Sequence, residues 1–249
     1  DLPAIEVSLA TRCADAAAGA VTPIKEAAGG RKPRMSLENR SFHDVGPFGN
    51  NVYLITDPAT RETAVVDVGF EPERVIELVQ REGLRVRVLL ATHAHYDHVA
   101  SMLPLQQAVG GEFALHSADR PLLEAVAIQG SMFGLPPVEV PEVALELADG
   151  MRIALGEQFL DVLHTPGHAP GHVTFRHGET LWSGDVLFAG SVGRTDLPGA
   201  SFAQLERSIK DKLFPLGDEM RVLPGHGPAT TLGAERRGNP FVGEAAERR

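Results

Sequence analysis

The chain contains 249 residues, of which 43% are hydrophobic, and it carries a formal net charge of −10 at pH 7. This length allows one domain with a sizeable core, and no apolar run approaches the roughly 20 residues of a membrane-spanning helix. The negative charge repels nucleic acid on average, so neither nucleic acid nor a membrane is an expected partner. The single cysteine, Cys13, cannot form a disulfide within the chain, and we expect a cytoplasmic protein.

The N-terminal segment differs in composition from the rest of the chain. Residues 1–34 are rich in alanine and glycine and contain no aromatic residue. The segment also lacks the long apolar stretch of a secretory signal. We therefore expect a flexible extension at 1–34 and a folded domain at 35–249.

From about residue 40 the sequence alternates between strand and helix patterns, which predicts a mixed α and β fold. Two adjacent strands are predicted over 51–56 and 63–68. An amphipathic helix is predicted over 72–82, with Val75, Ile76 and Val79 facing inward and Gly83 at its end. The remaining predicted elements are helices over 98–109 and 201–213 and strands near 144–164 and 172–188.

The segment 129–137 combines glycine and proline with Met132, Phe133 and Leu135. Because glycine and proline break regular structure, it is predicted to be a flexible apolar loop. Two roles remain open for this loop. It would either fold over the active cleft and contact a substrate, or cover the domain's own core.

Residues 92–98 read THAHYDH and contain four side chains that can bind metal. They follow an apolar run that ends like a buried strand. His93 and His95, two positions apart, can bind one ion from the same side of the chain. Asp97 and His98 can bind a second. Neutral imidazole and carboxylate suit zinc, manganese or iron.

Three later apolar runs also end in turns rich in glycine or proline, and each turn displays one histidine or aspartate. These residues are His168, Asp185 and His226. Loops held by a rigid sheet are common places for binding residues. Together with the first run they supply enough ligands for a two-metal site.

This order of ligands, HxHxDH followed by His168, Asp185 and His226, resembles the metallo-β-lactamase superfamily over roughly residues 40–235. The resemblance implies a four-layer αβ/βα sandwich, in which two sheets pack together with helices outside. It also implies two divalent metal ions, with zinc expected and iron or manganese as alternatives. The implied ligands are His93, His95 and His168 for the first metal, Asp97, His98 and His226 for the second, and Asp185 as the bridge.

Two ions imply a hydrolytic mechanism. A water shared by two divalent cations loses its proton near neutral pH, and the resulting hydroxide would attack a carbonyl carbon. Asp97 is the candidate catalytic residue, because it lies beside the ligands and could orient the nucleophile or pass a proton to the leaving group.

Other segments indicate the branch within the superfamily. Asp185 argues against antibiotic hydrolysis, because zinc β-lactamases generally lack an aspartate at the bridging position. The run 193–199, GRTDLPG, and the tail 230–241 resemble the compact glyoxalase II-like hydrolases. Only residues 227–249 follow His226. We therefore expect the chain to lack the C-terminal helical domain that helps full-length glyoxalase II hold glutathione.

The expected activity is hydrolysis of a 2-hydroxyacyl thioester such as S-lactoylglutathione, a small-molecule substrate. Two alternatives remain open. A persulfide dioxygenase would use a single iron held by His93, His168 and Asp185, and it would carry a similar GRTD run. A lactonase-type hydrolase would open a cyclic ester by the same attack. Both a monomer and a dimer are compatible with the sequence.

Four further residues have two interpretations each. Arg194 lies where the family has a basic residue near the substrate carboxylate, and it would contact substrate or form a loop salt bridge. Tyr96 would donate a hydrogen bond to an oxyanion or simply pack. Asp67 is expected to support the ligands or form a turn rather than act directly in catalysis. His172 is expected to form hydrogen bonds inside the strand–loop junction rather than bind metal. The other histidines are expected to be structural or solvated: His43, His116, His164 and His177.

Overall fold

The structure is a computed structural model that describes residues 36–244 and residue 246. The extension expected at 1–34 lies outside these residues, as do Met35 and the last three residues of the expected domain. None of the helices among the described residues has the length and apolar composition of a membrane-spanning segment.

The first half of the chain forms a six-stranded mixed sheet. Its strands are β1 (Glu38–Val45), β2 (Asn50–Thr56), β3 (Glu62–Val66), β4 (Arg85–Leu90), β5 (Glu112–His116) and β6 (Leu145–Leu147), in that spatial order. The β1–β2 and β2–β3 pairs are antiparallel, and the three pairs from β3 to β6 are parallel. The carboxyl ends of β3, β4 and β5 therefore meet at one edge of this sheet.

The second half forms another six-stranded sheet and a short ribbon. Its strands are β7 (Arg152–Leu155), β8 (Gln158–His164), β9 (Val173–His177), β10 (Thr180–Gly184), β11 (Leu187–Phe188), β12 (Ser191–Val192), β13 (Arg221–Pro224) and β14 (Thr230–Thr231). The sheet order is β14-β13-β10-β9-β8-β7, and β11 pairs with β12. Only β10 and β13 are parallel within this sheet.

Helices cover the outer faces of both sheets. They are α1 (Pro72–Glu82), α2 (Tyr96–Val99), α3 (Met102–Val109), α4 (Arg120–Glu124), α5 (Val126–Met132), α6 (Phe202–Arg207) and α7 (Leu232–Gly238). Short 3₁₀ turns occur at Ser117–Asp119 and Phe214–Leu216, and a π-helical stretch at Ser208–Leu213 follows α6.

One of the buried clusters lies between the two sheets. Val66 and Leu90 of the first sheet pack in one buried cluster with Leu160, Phe175 and Trp182 of the second. The neighbouring residues of β3 and β4 face the opposite way, because successive side chains of a strand alternate between the two faces. Both faces of these parallel strands are therefore buried, as expected for strands covered on both sides.

Two outer clusters complete the layers. On the first sheet, Leu89 packs with Leu78 of α1 and Leu105 of α3. On the second, Val222 packs with Leu205 of α6 in a separate buried cluster. The order helix, sheet, sheet, helix confirms the expected four-layer αβ/βα sandwich.

The predicted helix over 72–82 is confirmed as α1, with identical bounds. Gly83 ends it with a φ of 59° in the left-handed region, a conformation that glycine adopts without strain. Val75 and Val79 are buried as expected, but Leu78 is the third buried residue, while Ile76 is only half-buried.

The predicted helix over 98–109 is wrong in its continuity, because the structure has two helices, α2 and α3, with a break at Ala100 and Ser101. Pro104 explains the break, since a proline removes the hydrogen bond to the carbonyl four residues earlier and clashes with it. The Ser101 amide and hydroxyl instead donate to the carbonyls of Val68 and Gly69 at 3.0 and 2.9 Å. The break fixes α2 against the loop after β3.

Other predicted bounds shift for local reasons. The strand expected over 63–68 ends at Val66, because Asp67 has a positive φ of 56° and turns the chain. The helix expected over 201–213 is α6 followed by the π-helical stretch. The prediction of a loop over 129–137 is wrong for its first part, since α5 extends to Met132. Strands were correctly predicted near 144–164 and 172–188.

Candidate metal centre

Four loops at one edge of the two sheets carry all seven predicted ligands. The loop after β4 and the start of α2 carry four of them, and the β8–β9 loop carries His168. Asp185 follows β10 and His226 follows β13. Residues separated by more than 100 positions in sequence therefore meet at one point.

Three histidines form a first cluster, His93, His95 and His168. His168 Nε2 lies 2.9 Å from His95 Nδ1 and 3.2 Å from His93 Nε2. Zinc–nitrogen bonds of about 2.0–2.1 Å in a tetrahedral site place two nitrogens about 3.3 Å apart. These nitrogen separations are close to those of ligands that share one ion.

Three other side chains form a second cluster, Asp97, His98 and His226. The Nε2 atoms of His98 and His226 are 3.3 Å apart. Asp97 Oδ2 lies 3.5 Å from the first of these nitrogens and 3.3 Å from the second. This cluster offers two nitrogens and one carboxylate oxygen.

Asp185 lies between the two clusters. Its Oδ2 is 3.6 Å from His168 Nε2 and 3.4 Å from His226 Nε2, while its Oδ1 is 3.6 Å from His98 Nε2. The buried Oδ1 atom has no hydrogen-bond partner among the described residues. A buried carboxylate oxygen without a hydrogen bond, facing imidazole nitrogens, fits a ligand to a divalent cation.

Hydrogen bonds on the far side of the rings fix which nitrogen is free. Nδ1 of His98 donates to Asp67 Oδ2 at 3.0 Å, and Nδ1 of His168 donates to the Arg194 carbonyl at 2.8 Å. Nδ1 of His226 donates to the Phe48 carbonyl at 3.1 Å. Such partners hold a histidine in the tautomer and orientation that metal binding needs.

His93 is held in the same way through a relay. Its Nδ1 donates to Thr92 Oγ1 at 3.0 Å, and that hydroxyl donates to Asp67 Oδ2 at 2.7 Å. Asp67 also accepts a hydrogen bond from the Thr92 amide. Asp67 therefore orients His93 and His98, in agreement with the expectation that it supports the ligands.

The neutral form is favoured for the three histidines of the first cluster. Burial lowers the pKa of His93 well below its usual value, and it lowers the pKa of His168. Burial, together with His168 nearby, lowers the pKa of His95 to about 3. Neutral imidazoles are the form that binds metal, so this cluster can take up an ion without releasing protons.

The second cluster has the opposite electrostatic character. Burial lowers the pKa of His226, but the carboxylates of Asp185 and Asp97 outweigh it and raise this pKa to about 10. The same two carboxylates, with Asp67, outweigh burial and raise the pKa of His98 well above its usual value. Positive charge is therefore favoured at this point, and a divalent cation would supply it in place of protons.

Two residues beside Asp185 support it, one by close packing and the other by a hydrogen bond. A Cβ on Gly225 would collide with Asp185 Oδ1 and His98 Cε1. His172 Nε2 accepts a hydrogen bond from the Asp185 amide at 3.0 Å, and its Nδ1 lies 3.1 Å from Thr165 Oγ1. His172 thus holds the strand–loop junction, as expected.

Two buried polar residues at the site, Asn50 and Asp119, were not predicted from the sequence. Asn50 Nδ2 donates to the carbonyl and carboxylate of Asp97, and Asp119 accepts from the amides of Ala94 and Gly171. Asp119 could have been noticed, because it follows the apolar strand β5 at the edge where the ligands lie. Asn50 gave no comparable signal at the start of β2.

The side chains of the two predicted substrate contacts are both paired with other protein groups. The Tyr96 hydroxyl donates to the Pro136 carbonyl at 3.0 Å, and its ring is buried, so the expected bond to an oxyanion is not supported by this geometry. Arg194 forms a paired contact with Asp196 at 3.0 and 2.9 Å on an exposed loop. This geometry favours the loop salt bridge among the two interpretations.

The remaining histidines have contacts outside both clusters. His43 lies 2.7 Å from Asn51 Oδ1, and His177 lies 2.9 Å from the Phe159 carbonyl. His116 and His164 stack with ring centroids 4.2 Å apart. All four have structural contacts, in agreement with the expectation.

Comparison with known proteins identifies the family. The pattern of the metallo-beta-lactamase superfamily matches residues 45–226. Hydroxyacylglutathione hydrolase GloC of Haemophilus influenzae is 38% identical over 203 residues, which cover 80% of this chain and 95% of that protein. The structure of TTHA1623 in a di-iron-bound form is 43% identical, with a TM-score of 0.73, over 81% of this chain and 99% of that one.

A further solved structure has the same overall fold. BLEG-1, a B3 metallo-beta-lactamase, is 34% identical, with a TM-score of 0.76, over 82% of this chain and 99% of its own. The match to the superfamily spans most of the chain and includes every ligand of both clusters. The chain therefore belongs to the metallo-β-lactamase superfamily, and it is a metallo-hydrolase.

Proposed function

We propose that the protein is a binuclear thioesterase that hydrolyses 2-hydroxyacyl thioesters such as S-lactoylglutathione. The observation that carries the proposal is Asp185, whose two carboxylate oxygens lie 3.4–3.6 Å from nitrogens of both clusters. A carboxylate in this position can serve two ions at once. The similarity to a protein named hydroxyacylglutathione hydrolase supports the choice of substrate.

In this proposal each cluster would hold one divalent cation, zinc, iron or manganese, and Asp185 would serve as a ligand to both. When bound, such a pair of cations lowers the pKa of a shared water and polarises a carbonyl group. The similarity to a solved structure described as di-iron-bound supports two ions and leaves iron among the candidates.

Asp97 is the proposed proton carrier. Side chains of Asp97 and His226 are 20% and 23% exposed, whereas those of His93 and His98 are buried. Substrate would therefore approach from the side of Asp97 and His226. His98 and His226 outweigh the effect of burial and lower the pKa of Asp97, so its carboxylate is ionised. We propose that this carboxylate orients the attacking water and relays a proton to the leaving thiolate.

An exposed apolar surface, the aromatic lip, adjoins this approach. It consists of Phe48, Met132 and Phe133, which are 39%, 78% and 57% exposed. The rings of Phe48 and Phe133 are 5.4 Å apart in an edge-to-face arrangement. Because the Phe48 carbonyl accepts the hydrogen bond from His226, the lip is connected to the second cluster. We propose that it contacts the apolar part of the acyl group.

The substrate class follows from the same features. A small-molecule thioester agrees with the net charge of −10, which disfavours nucleic acid. We also propose action in the cytoplasm, because a single cysteine cannot form a disulfide within the chain. Arg194 has no assigned role in substrate binding here, because its guanidinium is paired with Asp196.

The test is a panel of reactions on protein loaded separately with zinc, manganese and iron. Free thiol should be released from S-lactoylglutathione without oxygen consumption, by protein that contains two ions per chain. A lactone and a β-lactam serve as the hydrolytic alternatives, and glutathione persulfide with oxygen measurement serves as the oxidative one. The proposal would be overturned if one of these alternative substrates is turned over and no thioester is cleaved with any of the three metals.

A further inference from the structure

We propose that two buried polar side chains position the two clusters separately. Asp119 positions the ligands of the first cluster, and Asn50 positions those of the second. Neither residue belongs to a cluster, so both are positioning residues. The inference rests on the metal centre of the proposed function, but it makes a claim about each site that can fail independently.

Asp119 connects the loops that carry the first cluster. It lies at the end of the 3₁₀ turn after β5 and is completely buried. Its Oδ2 accepts from the Ala94 amide at 3.0 Å, and its Oδ1 accepts from the Gly171 amide at 2.5 Å. Ala94 lies between His93 and His95, while Gly171 belongs to the loop that carries His168.

The contact with Gly171 requires close approach of the backbone. A Cβ at position 171 would lie 2.7 Å from the Asp119 amide nitrogen and 2.9 Å from its carboxylate. The carboxylate therefore fixes the distance between the β4 loop and the β8–β9 loop. Because those two loops carry all three nitrogens of the first cluster, Asp119 determines whether they converge.

Asn50 connects the segments that carry the second cluster. Its Nδ2 donates to the Asp97 carbonyl at 2.9 Å and to Asp97 Oδ2 at 3.1 Å, and it lies 3.5 Å from His226 Nε2. Its backbone also forms an isolated antiparallel bridge with His226. One side chain at the start of β2 thus reaches two of the three members of the second cluster.

The environment of Asn50 indicates why an amide is present there. The residue is buried, and its Oδ1 has no hydrogen-bond partner within the described part of the chain. An unpaired buried acceptor is unfavourable and calls for a compensating role. The N–H groups of the same side-chain amide donate to Asp97, and we infer that the compensating role is to position Asp97.

The two residues act on separate parts of the site. Asp119 ties the β4 loop to the β8–β9 loop, whereas Asn50 ties the start of β2 to α2 and to the loop after β13. Residues that orient metal ligands typically change metal affinity about 10- to 100-fold when they are replaced. Each replacement should therefore weaken the binding of one ion and leave the binding of the other unchanged.

The experiment compares Asp119→Asn with Asn50→Leu, and both substitutions keep the size of the side chain. The first removes one hydrogen-bond acceptor, and the second removes the hydrogen-bond donor. Affinity for each ion is measured with cobalt(II) by competition against a chelator and by visible absorption. Thr56→Val is the matched control, because it removes a buried hydrogen bond to Thr63 at the far end of β2. The unfolding temperature of the metal-free variants separates loss of the fold from loss of a site.

Crossed substitutions assign the affected ion. In Asn50→Leu, adding His226→Ala should cause no further loss of cobalt, whereas adding His95→Ala should remove the remaining ion. In Asp119→Asn the pattern should reverse. If either variant fails to fold, Asp119→Ser or Asn50→Ser replaces it.

Two results would overturn the inference: loss of the same ion in both variants, or unchanged affinity for both ions. A wild-type chain that binds one cobalt would refute the binuclear proposal. It would still test the inference, because only the positioning residue of the occupied cluster should then matter.

Discussion

Replacing Asp185 by asparagine should reduce metal occupancy and abolish hydrolysis. Asparagine keeps the size of the side chain but removes the negative charge between the two clusters. Unit charges separated by the observed distances of 3.4–3.6 Å interact by about 5 kcal/mol at an effective dielectric constant of 20. This energy corresponds to a loss of about three powers of ten in affinity. Divalent ions carry twice the charge, so the loss should not be smaller.

The assay is metal content per chain at a fixed concentration of free zinc, together with the rate of thiol release. Asp196→Asn is the control, because it removes a carboxylate from an exposed loop near the site. Two ions per chain and full activity in Asp185→Asn would refute the assignment of Asp185 as the shared ligand. Loss of metal in the Asp196→Asn control as well would make the effect one of overall charge.

Three further predictions concern pH, the lip and the arginine. The pKa of His226 is raised to about 10, whereas the pKa values of the first-cluster histidines are lowered. Between pH 8 and 6 an ion in the second cluster must therefore displace protons, whereas an ion in the first need not, so lowering the pH should release the ion of the second cluster first. Metal content measured across this range would contradict the account if both ions left together. Phe133→Ala should raise KM for a thioester with a bulky apolar acyl group about fivefold, equivalent to about 1 kcal/mol of lost aromatic contact, with little change for an acetyl thioester. An equal change for both would remove the lip from substrate binding. Arg194→Ala should alter hydrolysis of S-lactoylglutathione and of a thioester without a carboxylate to the same small extent, since exposed ion pairs contribute little. A selective rise in KM for S-lactoylglutathione would instead assign Arg194 to the substrate carboxylate.

The ligands could be predicted from sequence because each has a local signal. His93, His95, Asp97 and His98 form one dense run, and the later ligands follow apolar strands at glycine-rich turns. Their convergence depends on the four-layer fold, which only the resemblance to a known family implied. Periodicity by itself indicated mixed α and β structure.

Most of the features that were not predicted from the sequence depend on tertiary contacts, with one exception. The break between α2 and α3 has a local cause in Pro104, which the sequence did contain. In contrast, the hydrogen bonds of Asn50 and Asp119 join segments far apart in the chain, and neither residue belongs to a motif. The Tyr96 hydroxyl could not be placed because its partner, the Pro136 carbonyl, lies 40 positions away.

The central claim is that two ions act together on a thioester. The most direct measurement is thiol release from S-lactoylglutathione, with oxygen uptake and metal content recorded on the same zinc- or manganese-loaded sample. The account predicts two ions per chain, thiol release and no oxygen consumption. One iron per chain with oxygen uptake from glutathione persulfide, and no thioester cleavage under any metal, would contradict it.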